Sequence, residues 1–140
     1  KKGDVLFNRT NSPELVGKTS IIETDEKAIF AGYLIRINHL KEITDGRYLT
    51  YFLNSMIAKK YGNFVKTDGV NQSNINGQKL INYPFVFCSL KEQKEVADIL
   101  EQKLTACDQL AAELAKQLKQ AELLKQAVLK AAFSGSLLDK

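Results

Sequence analysis

The sequence predicts an α+β protein, with a small mixed domain over residues 1–88 followed by one long helix over residues 89–140. Two observations support this division. Apolar residues before position 89 recur partly at the period of two typical of strands and partly at helical spacing. Residues 89–134 contain neither Pro nor Gly and are rich in Ala, Leu, Lys, Gln and Glu, which favour helix. No run of 18 apolar residues predicts a membrane span.

The first domain contains several predicted strands. The segments "DVLFNRT", "GKTSIIETD" and "AIFAGYLIRIN" are rich in β-branched and aromatic residues. In the third, alternation places Phe30, Gly32, Leu34 and Arg36 on one face. Later come two short β segments, "NFVKT" and "LINYPFVF". Pro84 restricts the last one to a sheet edge or an irregular path, because proline cannot donate a ladder hydrogen bond.

A helix is predicted between these two groups of strands. In "DGRYLTYFLNSMIAKKYGN" the apolar side chains fall at helical spacing. Asp45 is a suitable N-terminal cap and Gly62 a suitable stop. We expect this helix to pack on the sheet through its aromatic and aliphatic face.

The long C-terminal helix carries start and stop signals at both ends. Ser89 and Glu92 have the spacing of a capping box, and Gly135 marks the end. About 45 residues at 1.5 Å per residue give a helix of roughly 68 Å.

A heptad pattern runs along this helix and predicts a coiled-coil seam. Apolar residues dominate its a and d positions, and further apolar residues widen the stripe. Lys103 and Gln117 are polar interruptions that could fix the register. The residues predicted to mediate helix pairing are Val96, Leu100, Cys107, Leu110, Leu114, Leu118, Ala121, Leu124 and Val128.

Such a seam requires a second long helix. Its source could be a second copy of the chain, a missing part of the same chain, or another protein. The alternative is a helix that folds back on its own domain, which a straight run of this length disfavours.

Charge and amide side chains suggest a ligand for the first domain. Residues 1–88 contain 12 Lys and Arg against 8 Asp and Glu, whereas residues 89–140 contain 8 of each. The stretch "KTDGVNQSNINGQKL" holds three Asn and two Gln. Asn and Gly also make turns and helix caps, so residues 74–77 could simply begin a helical turn. Turn chemistry and ligand reading therefore remain two alternatives.

Duplex DNA is the ligand that suits these side chains. Asn and Gln pair with adenine, Arg pairs with guanine, and small hydroxyl and cationic side chains suit phosphates. Arg9, Asn71 and Gln72 are predicted to contact base edges, and the other candidates to hold phosphates. The full predicted DNA-binding set is Arg9, Asn11, Ser12, Lys18, Lys66, Thr67, Asn71, Gln72 and Ser73.

Catalytic chemistry is not predicted. The chain has one histidine, His39, and no nucleotide-binding glycine motif. Cys88 and Cys107 lack the spacing of a zinc site, and two thiols without a disulfide framework suit a reducing cytoplasm. A magnesium nuclease could use the acidic run at residues 23–27 or Glu92 with Lys94, but these are more typical of a solvated turn and of a capped first helical turn. We therefore predict no catalytic residue, metal or cofactor.

Five segments in order resemble the type I restriction–modification specificity subunits. They are "GDVLFNRTNSPELVGK", "YLTYFLNS", "GVNQSNINGQKLINYPFVF", "LKEQKEVADILEQ" and "LKQAVLKAAFSGSLL". The resemblance implies a target recognition domain followed by a conserved-region spacer helix. It further implies antiparallel pairing of two such helices, each domain reading half of a split DNA target. Methyltransferase subunits would dock on the helices and bring the restriction subunits, and these partners would perform the catalysis.

The chain departs from the family pattern in two places. The family usually has a proline-rich segment before the long helix, where this sequence reads "FVFCSL". The family domain also begins some tens of residues before "GD", so we expect the first strands to be missing here. Three other functions stay open: a coiled-coil interaction module that does not bind DNA, a nuclease, and the recognition domain of a fused restriction–methylation enzyme.

Overall fold

A computed structural model describes residues 1–27 and 29–137 of the protein. It confirms the α+β class, with small sheets and helices followed by a long helix. The elements are β1 (Val5–Asn8), β2 (Thr10–Asn11), β3 (Thr19–Ile21), β4 (Leu34–Ile37), α1 (Gly46–Asn54), α2 (Met56–Val65), β5 (Thr67–Asp68), β6 (Ser73–Asn74), α3 (Gly77–Ile81) and α4 (Leu90–Phe133). The chain divides into two compact units, of which the first is Lys1–Asp98 and the second begins at Ile99.

The core of the first unit lies between an antiparallel sheet and the helices. The sheet has the strand order β3-β1-β4. Val5 and Phe7 of the central strand are fully buried, because alternate side chains of β1 point to the same face. They pack in one cluster with Leu49, Phe52 and Ile75. The predicted packing of a helix on the sheet is thus confirmed for α1.

The third predicted strand is shorter than expected. β4 begins only at Leu34, because the backbone N–H of Leu34 bonds to the carbonyl of Ala31 in a tight turn. Phe30 and Gly32 therefore lie outside the strand, and the predicted face they were to share with Leu34 is wrong. Ala28, the first residue of the predicted strand, lies outside the described residues.

The single helix predicted after Asp45 is two helices. Asp45 caps α1 as expected, since its carboxylate accepts hydrogen bonds from the backbone N–H groups of Arg47 and Tyr48. Ser55 interrupts the run with an extended backbone and caps α2 through its hydroxyl. Gly62 is not a helix stop. It is buried inside α2, where a Cβ atom would come within 2.6 Å of the Tyr83 hydroxyl oxygen.

The two short β segments predicted around the amide-rich stretch are largely wrong. Asn63, Phe64 and Val65 belong to α2, and only Thr67 of "NFVKT" lies in a strand. The segment "LINYPFVF" begins in α3 and continues without regular structure. Its apolar pattern reflects aromatic packing, because the Phe85 ring meets Phe52 edge-on at a centroid distance of 5.2 Å.

A second, smaller sheet forms from three strands of two residues each. Its order is β2-β6-β5, and both pairings are antiparallel. Residues 69–72 connect β5 to β6 as a hairpin turn, closed by a 2.7 Å hydrogen bond from the Gly69 N–H to the Gln72 carbonyl. Asn76 then caps α3, which confirms a short helical turn at this point.

The long helix α4 spans 44 residues, as its uniform composition predicts. Its capping box is present: the Glu92 carboxylate accepts from the Ser89 N–H at 2.9 Å, and the Ser89 hydroxyl accepts from the Glu92 N–H at 3.3 Å. Gly135 follows the helix with a positive φ of 81°, as a stop glycine does. Among the described residues, no helix has the length and apolarity to cross a membrane. Residues 138–140 of the predicted helical region lie outside the described part.

Candidate nucleic-acid interface

The exposed tip of the β5–β6 hairpin carries the amide side chains. The tip consists of Gly69, Val70, Asn71 and Gln72, and all four are exposed. Val70 is 99% exposed, so the domain does not bury the tip. The two strand pairs below it, Asp68↔Ser73 and Thr67↔Asn74, hold its base. Asn71 and Gln72 can therefore present donor and acceptor groups to a ligand without disturbing the core.

Candidates from the N-terminal loop lie beside this hairpin. Asn11 of β2 pairs directly with Ser73 of β6, and the Arg9 carbonyl accepts from the Ile75 N–H at 2.8 Å. The Nε atom of Arg9 is buried and has no hydrogen-bond partner among the described residues. Asn11 uses its side-chain oxygen locally, accepting from the Ser12 N–H at 2.8 Å. The small sheet thus brings together two loops that are some 60 residues apart in the sequence.

Three polar residues fix the base of the hairpin. Ser73 is 1% exposed, and its hydroxyl donates to the Asp68 carboxylate. The Lys66 ammonium lies 3.5 Å from the same carboxylate, and its side chain is only 14% exposed. The hydrogen bond from Ser73 and the nearby charge of Lys66 lower the pKa of Asp68. Ser73 and Lys66 are therefore already engaged within the protein.

The pKa of a second carboxylate, Glu14 in the N-terminal loop, is also affected by the charge of Lys66. A hydrogen bond from the Ser12 side chain is the main cause that lowers the pKa of Glu14, and the charge of Lys66 contributes further. The charge of Lys66 thus acts on Glu14 as well as on Asp68. This arrangement neutralises part of the positive charge that the composition of the first domain provides.

Lys18 lies outside the small sheet. It precedes β3, and its carbonyl accepts from the Asn8 N–H at 2.9 Å, one residue before Arg9. Its side chain is exposed and lines a cleft of about 320 Å³ together with Lys59 and Asn63. Of the nine predicted DNA-binding residues, the other eight lie in or next to the small sheet and its hairpin.

Sequence analysis missed two residues that contribute to this surface. The Lys79 ammonium donates to the Thr67 hydroxyl at 2.6 Å, and the Asn74 side chain donates to the Thr10 hydroxyl at 2.6 Å. These contacts join residues 12 and 64 positions apart. Strands of two residues are too short to show a period, so no pattern in the sequence could have predicted the pairing.

Two observations concern the candidate groups for catalysis and metal binding. The Nδ1 atom of His39 is buried and has no hydrogen-bond partner among the described residues. No group of three or more His, Cys, Asp or Glu in the described part could hold a metal ion.

Comparison with known proteins identifies the family. The sequence model of the type I restriction modification DNA specificity domain matches residues 1–120, which include the hairpin and most of α4. The chain belongs to this family. The resemblance inferred from five sequence segments is therefore confirmed.

Two curated relatives are similar to this specificity-domain chain over nearly its whole length. The putative type I restriction enzyme MjaX specificity subunit of Methanocaldococcus jannaschii is 30% identical over 133 residues, or 94% of this chain. The type I restriction enzyme EcoKI specificity subunit of Escherichia coli is 29% identical over 139 residues, or 96% of this chain. The chain spans 30% of the length of each relative. Both relatives are named as specificity subunits.

The second unit of this specificity-domain chain exposes residues that were predicted to mediate helix pairing. The large apolar side chains Leu110, Leu114, Leu118 and Leu124 are each between 57% and 66% exposed, and Val128 is 48% exposed. Exposed apolar area of this extent is unusual for a surface that stays in water. Leu100 is half-buried, and Cys107 and Ala121 are exposed on the same helix.

Proposed function

We propose that this chain reads one half of a bipartite duplex DNA target. The observation that carries the proposal is the small sheet, which joins the Arg9–Ser12 loop to a protruding hairpin with two exposed amide side chains. A two-stranded ribbon of this kind is narrow enough for the major groove, where amide and guanidinium groups distinguish base pairs. Membership of the specificity-domain family supports DNA as the ligand.

The contacts of the candidate residues suggest a division of roles. Asn71, Gln72 and Arg9 are proposed to contact base edges. Asn11, Ser12, Lys18 and Thr67 are proposed to hold phosphates, which fixes the orientation of the domain on the duplex. Ser73 and Lys66 were predicted as phosphate contacts, but their bonds to Asp68 support a different proposal. We propose that they hold the hairpin in position.

Helix α4 is proposed to act as a spacer and docking site. A second long helix, from a homodimer mate or from another part of the subunit, would cover its exposed apolar seam. Methyltransferase subunits would bind the paired helices and recruit the restriction subunits, and these partners would supply catalysis and cofactors in the cytoplasm. The observation that supports this proposal is the exposed heptad stripe, together with the names of the relatives.

The DNA-reading role is tested by Gln72→Ala. If Gln72 reads a base, this change removes about 1–3 kcal/mol of discrimination at one base pair of the DNA sequence that the original chain prefers. Lys18→Ala is the comparison, because losing a phosphate contact weakens binding to all sequences alike. It should also reduce the slope of log K against log salt concentration by about one. Fluorescence anisotropy on the target and its single-base variants measures both. Equal losses on target and random DNA in Gln72→Ala would contradict the base-reading role.

A coiled-coil interaction module is the second candidate function. The exposed seam of α4 favours it, because that surface requires a partner whether or not the domain binds DNA. This alternative predicts helix-mediated assembly without salt-dependent binding to duplex DNA. The same anisotropy experiment separates the two functions.

A further inference from the structure

A cleft of the first unit, outside the hairpin, carries two lysine side chains. It has a volume of about 320 Å³ and lies between the Pro13–Lys18 turn and helix α2. Lys18 comes from the turn and Lys59 from α2, and both side chains are exposed. Among the described residues, neither lysine forms an ion pair. Their charges are therefore available to an anionic ligand.

Backbone hydrogen bonds hold the turn that carries Lys18. The Gly17 N–H donates to the Asn8 carbonyl at 2.8 Å, and the Asn8 N–H donates to the Lys18 carbonyl at 2.9 Å. Gly17 has a φ of 88°, a backbone conformation that glycine adopts readily. The turn is thus fixed against the end of β1, directly before Arg9.

One amide side chain joins this turn to the start of α2. The Asn54 oxygen accepts from the Thr19 N–H at 3.1 Å, and the Asn54 NH₂ group donates to the Thr19 carbonyl at 2.7 Å. Thr19 follows Lys18, and Asn54 precedes Ser55, the N-terminal cap of α2. The Lys59 N–H donates to the Ser55 carbonyl at 2.9 Å in the first turn of that helix. Both lysines therefore lie on walls that are held in place without a ligand, which lowers the cost of binding one.

The charge of this cleft differs from that of the hairpin base. At the base, Lys66 is paired with Asp68 at 3.5 Å and its side chain is only 14% exposed. In the cleft, Glu14 is the carboxylate that accompanies the two lysines. A hydrogen bond from the Ser12 side chain is the main cause that lowers the pKa of Glu14, so this carboxylate is charged and already engaged. Two lysines against one carboxylate leave the cleft with a net positive charge.

We propose that Lys59 and Lys18 together hold one phosphate of the DNA backbone in this cleft. The proposal rests on the proposed DNA-reading function and adds Lys59 to it, in the role that the sequence suggested for Lys66. The cleft adjoins the Arg9–Ser12 loop, which is proposed to contact the duplex. A phosphate held here fixes the orientation of the domain without reading a base. Lysine suits this role, because its ammonium binds phosphate as a point charge.

The experiment compares Lys59→Ala with Lys60→Ala. Both changes remove one positive charge from α2 at an exposed position, but Lys60 does not line the cleft. Fluorescence anisotropy at several salt concentrations gives the slope of log K against log salt concentration on the DNA sequence that the original chain prefers. The slope counts neutralised phosphates, at about 0.9 for each phosphate of duplex DNA. Lys59→Gln replaces Lys59→Ala if circular dichroism shows that the alanine variant does not fold.

We expect Lys59→Ala to reduce the slope by about 0.9 and the affinity by about fivefold, on preferred and random duplexes alike. Lys60→Ala should leave the slope nearly unchanged. Lys59→Arg keeps the charge and should keep the slope, which a merely structural role of Lys59 would not require. The double variant Lys18→Ala/Lys59→Ala should lose about 0.9 in total, because the two lysines share one phosphate.

Three results would overturn the proposal. Equal changes in Lys59→Ala and Lys60→Ala would show that only the total charge of the domain matters. A loss of about 1.8 in the double variant would place the two lysines on different phosphates. Both results leave the proposed DNA reading intact. Absence of salt-dependent duplex binding by the original chain is the third result, and it refutes the proposed function together with the phosphate site.

Discussion

At the scale of single residues, the contact between Gly62 and Tyr83 shows how a helix glycine can be required by its neighbour. A Cβ atom at position 62 would lie 2.6 Å from the Tyr83 hydroxyl oxygen. The ring of Tyr83 cannot simply move away, because it meets Tyr61 and Phe7 edge-on at centroid distances of 4.9 and 6.0 Å. The glycine therefore makes room for the half-buried side chain of Tyr83.

We predict that Gly62→Ala destabilises the original chain but stabilises the Tyr83→Phe variant. In the original chain the overlap costs about 1–3 kcal/mol, which exceeds the gain of about 1 kcal/mol from better helix propensity. In the Tyr83→Phe background the nearest atoms are the Ile75 Cδ1 at 3.4 Å and the ring carbon at 3.7 Å, so Gly62→Ala should stabilise. Urea denaturation of the four proteins measures this. Destabilisation of equal size in both backgrounds would assign the cost to another contact.

Because of Tyr83, the stability of the protein also falls at alkaline pH. Burial, and to a lesser extent the neighbouring Tyr61, raises the pKa of Tyr83 from 10.0 to about 12. In the unfolded chain this phenol loses its proton near pH 10, whereas the folded protein keeps it until about pH 12. Ionisation in that window favours the unfolded state, so stability falls as the pH rises from 10 to 12.

Tyr83→Phe should remove this contribution. We expect the midpoint of urea denaturation to fall less steeply in Tyr83→Phe than in the original chain over this pH range. All other tyrosines and lysines are common to both proteins and cancel in the comparison. Parallel pH profiles would show that the Tyr83 phenol titrates alike in the folded and unfolded states.

Residue roles could be predicted from the sequence where both partners are close in the chain. The caps at Asp45 and Ser89 are of this kind, because their partners lie within three residues. Gln93 is of the other kind, since it bonds to groups 48 and 50 positions away. Ser73 looked like a free hydroxyl in an exposed loop, and only the fold shows that it is buried against Asp68.

At the scale of elements, the break at Ser55 divides what reads as one amphipathic helix. The Ser55 hydroxyl accepts a hydrogen bond from the Ala58 N–H at 3.3 Å. The backbone N–H of Ser55 donates to the Phe52 carbonyl at 2.9 Å. One residue thus ends α1 and starts α2. The apolar spacing continues across the break, so periodicity alone could not reveal it.

We predict that Ser55→Ala lowers the free energy of unfolding by about 1 kcal/mol, because α2 loses its N-terminal cap. Ser20→Ala, at an exposed position in β3, is the matched control and should change stability little. Chemical denaturation followed by circular dichroism measures both. An equal effect of the two substitutions would show that the Ser55 hydroxyl does not act as a cap.

At the scale of the whole molecule, α4 extends a surface that a single chain leaves exposed. We predict that the full chain sediments as a dimer and that Ala121→Asp, at an a position of the heptad, makes it monomeric. Ala112→Asp places the same charge at position f, on the outer face, and should leave the dimer intact. Sedimentation velocity measures all three proteins. Dimers that persist in Ala121→Asp would place the interface elsewhere.

The reference for a monomer is a chain that ends after Asp98. Ending it after Phe87, at the boundary between the two composition patterns, would remove Gln93 and Ala97, which are buried in the first unit. The composition changes where α4 begins, but the first unit includes two more turns of the same helix. Local composition cannot show which residues of a continuous helix are buried in the domain that precedes it.

The hairpin tip separates the stability of the domain from the specificity of the proposed DNA contact. The core residues Val5, Phe7 and Ile75 contribute nothing to the tip, and Gly69–Gln72 contributes nothing to the core. Mutations at Asn71 or Gln72 are therefore expected to alter the proposed DNA contact without loss of folding. If the proposed DNA contact holds, exchanging a few exposed tip residues would change the preferred DNA target while the fold of the first unit stays the same.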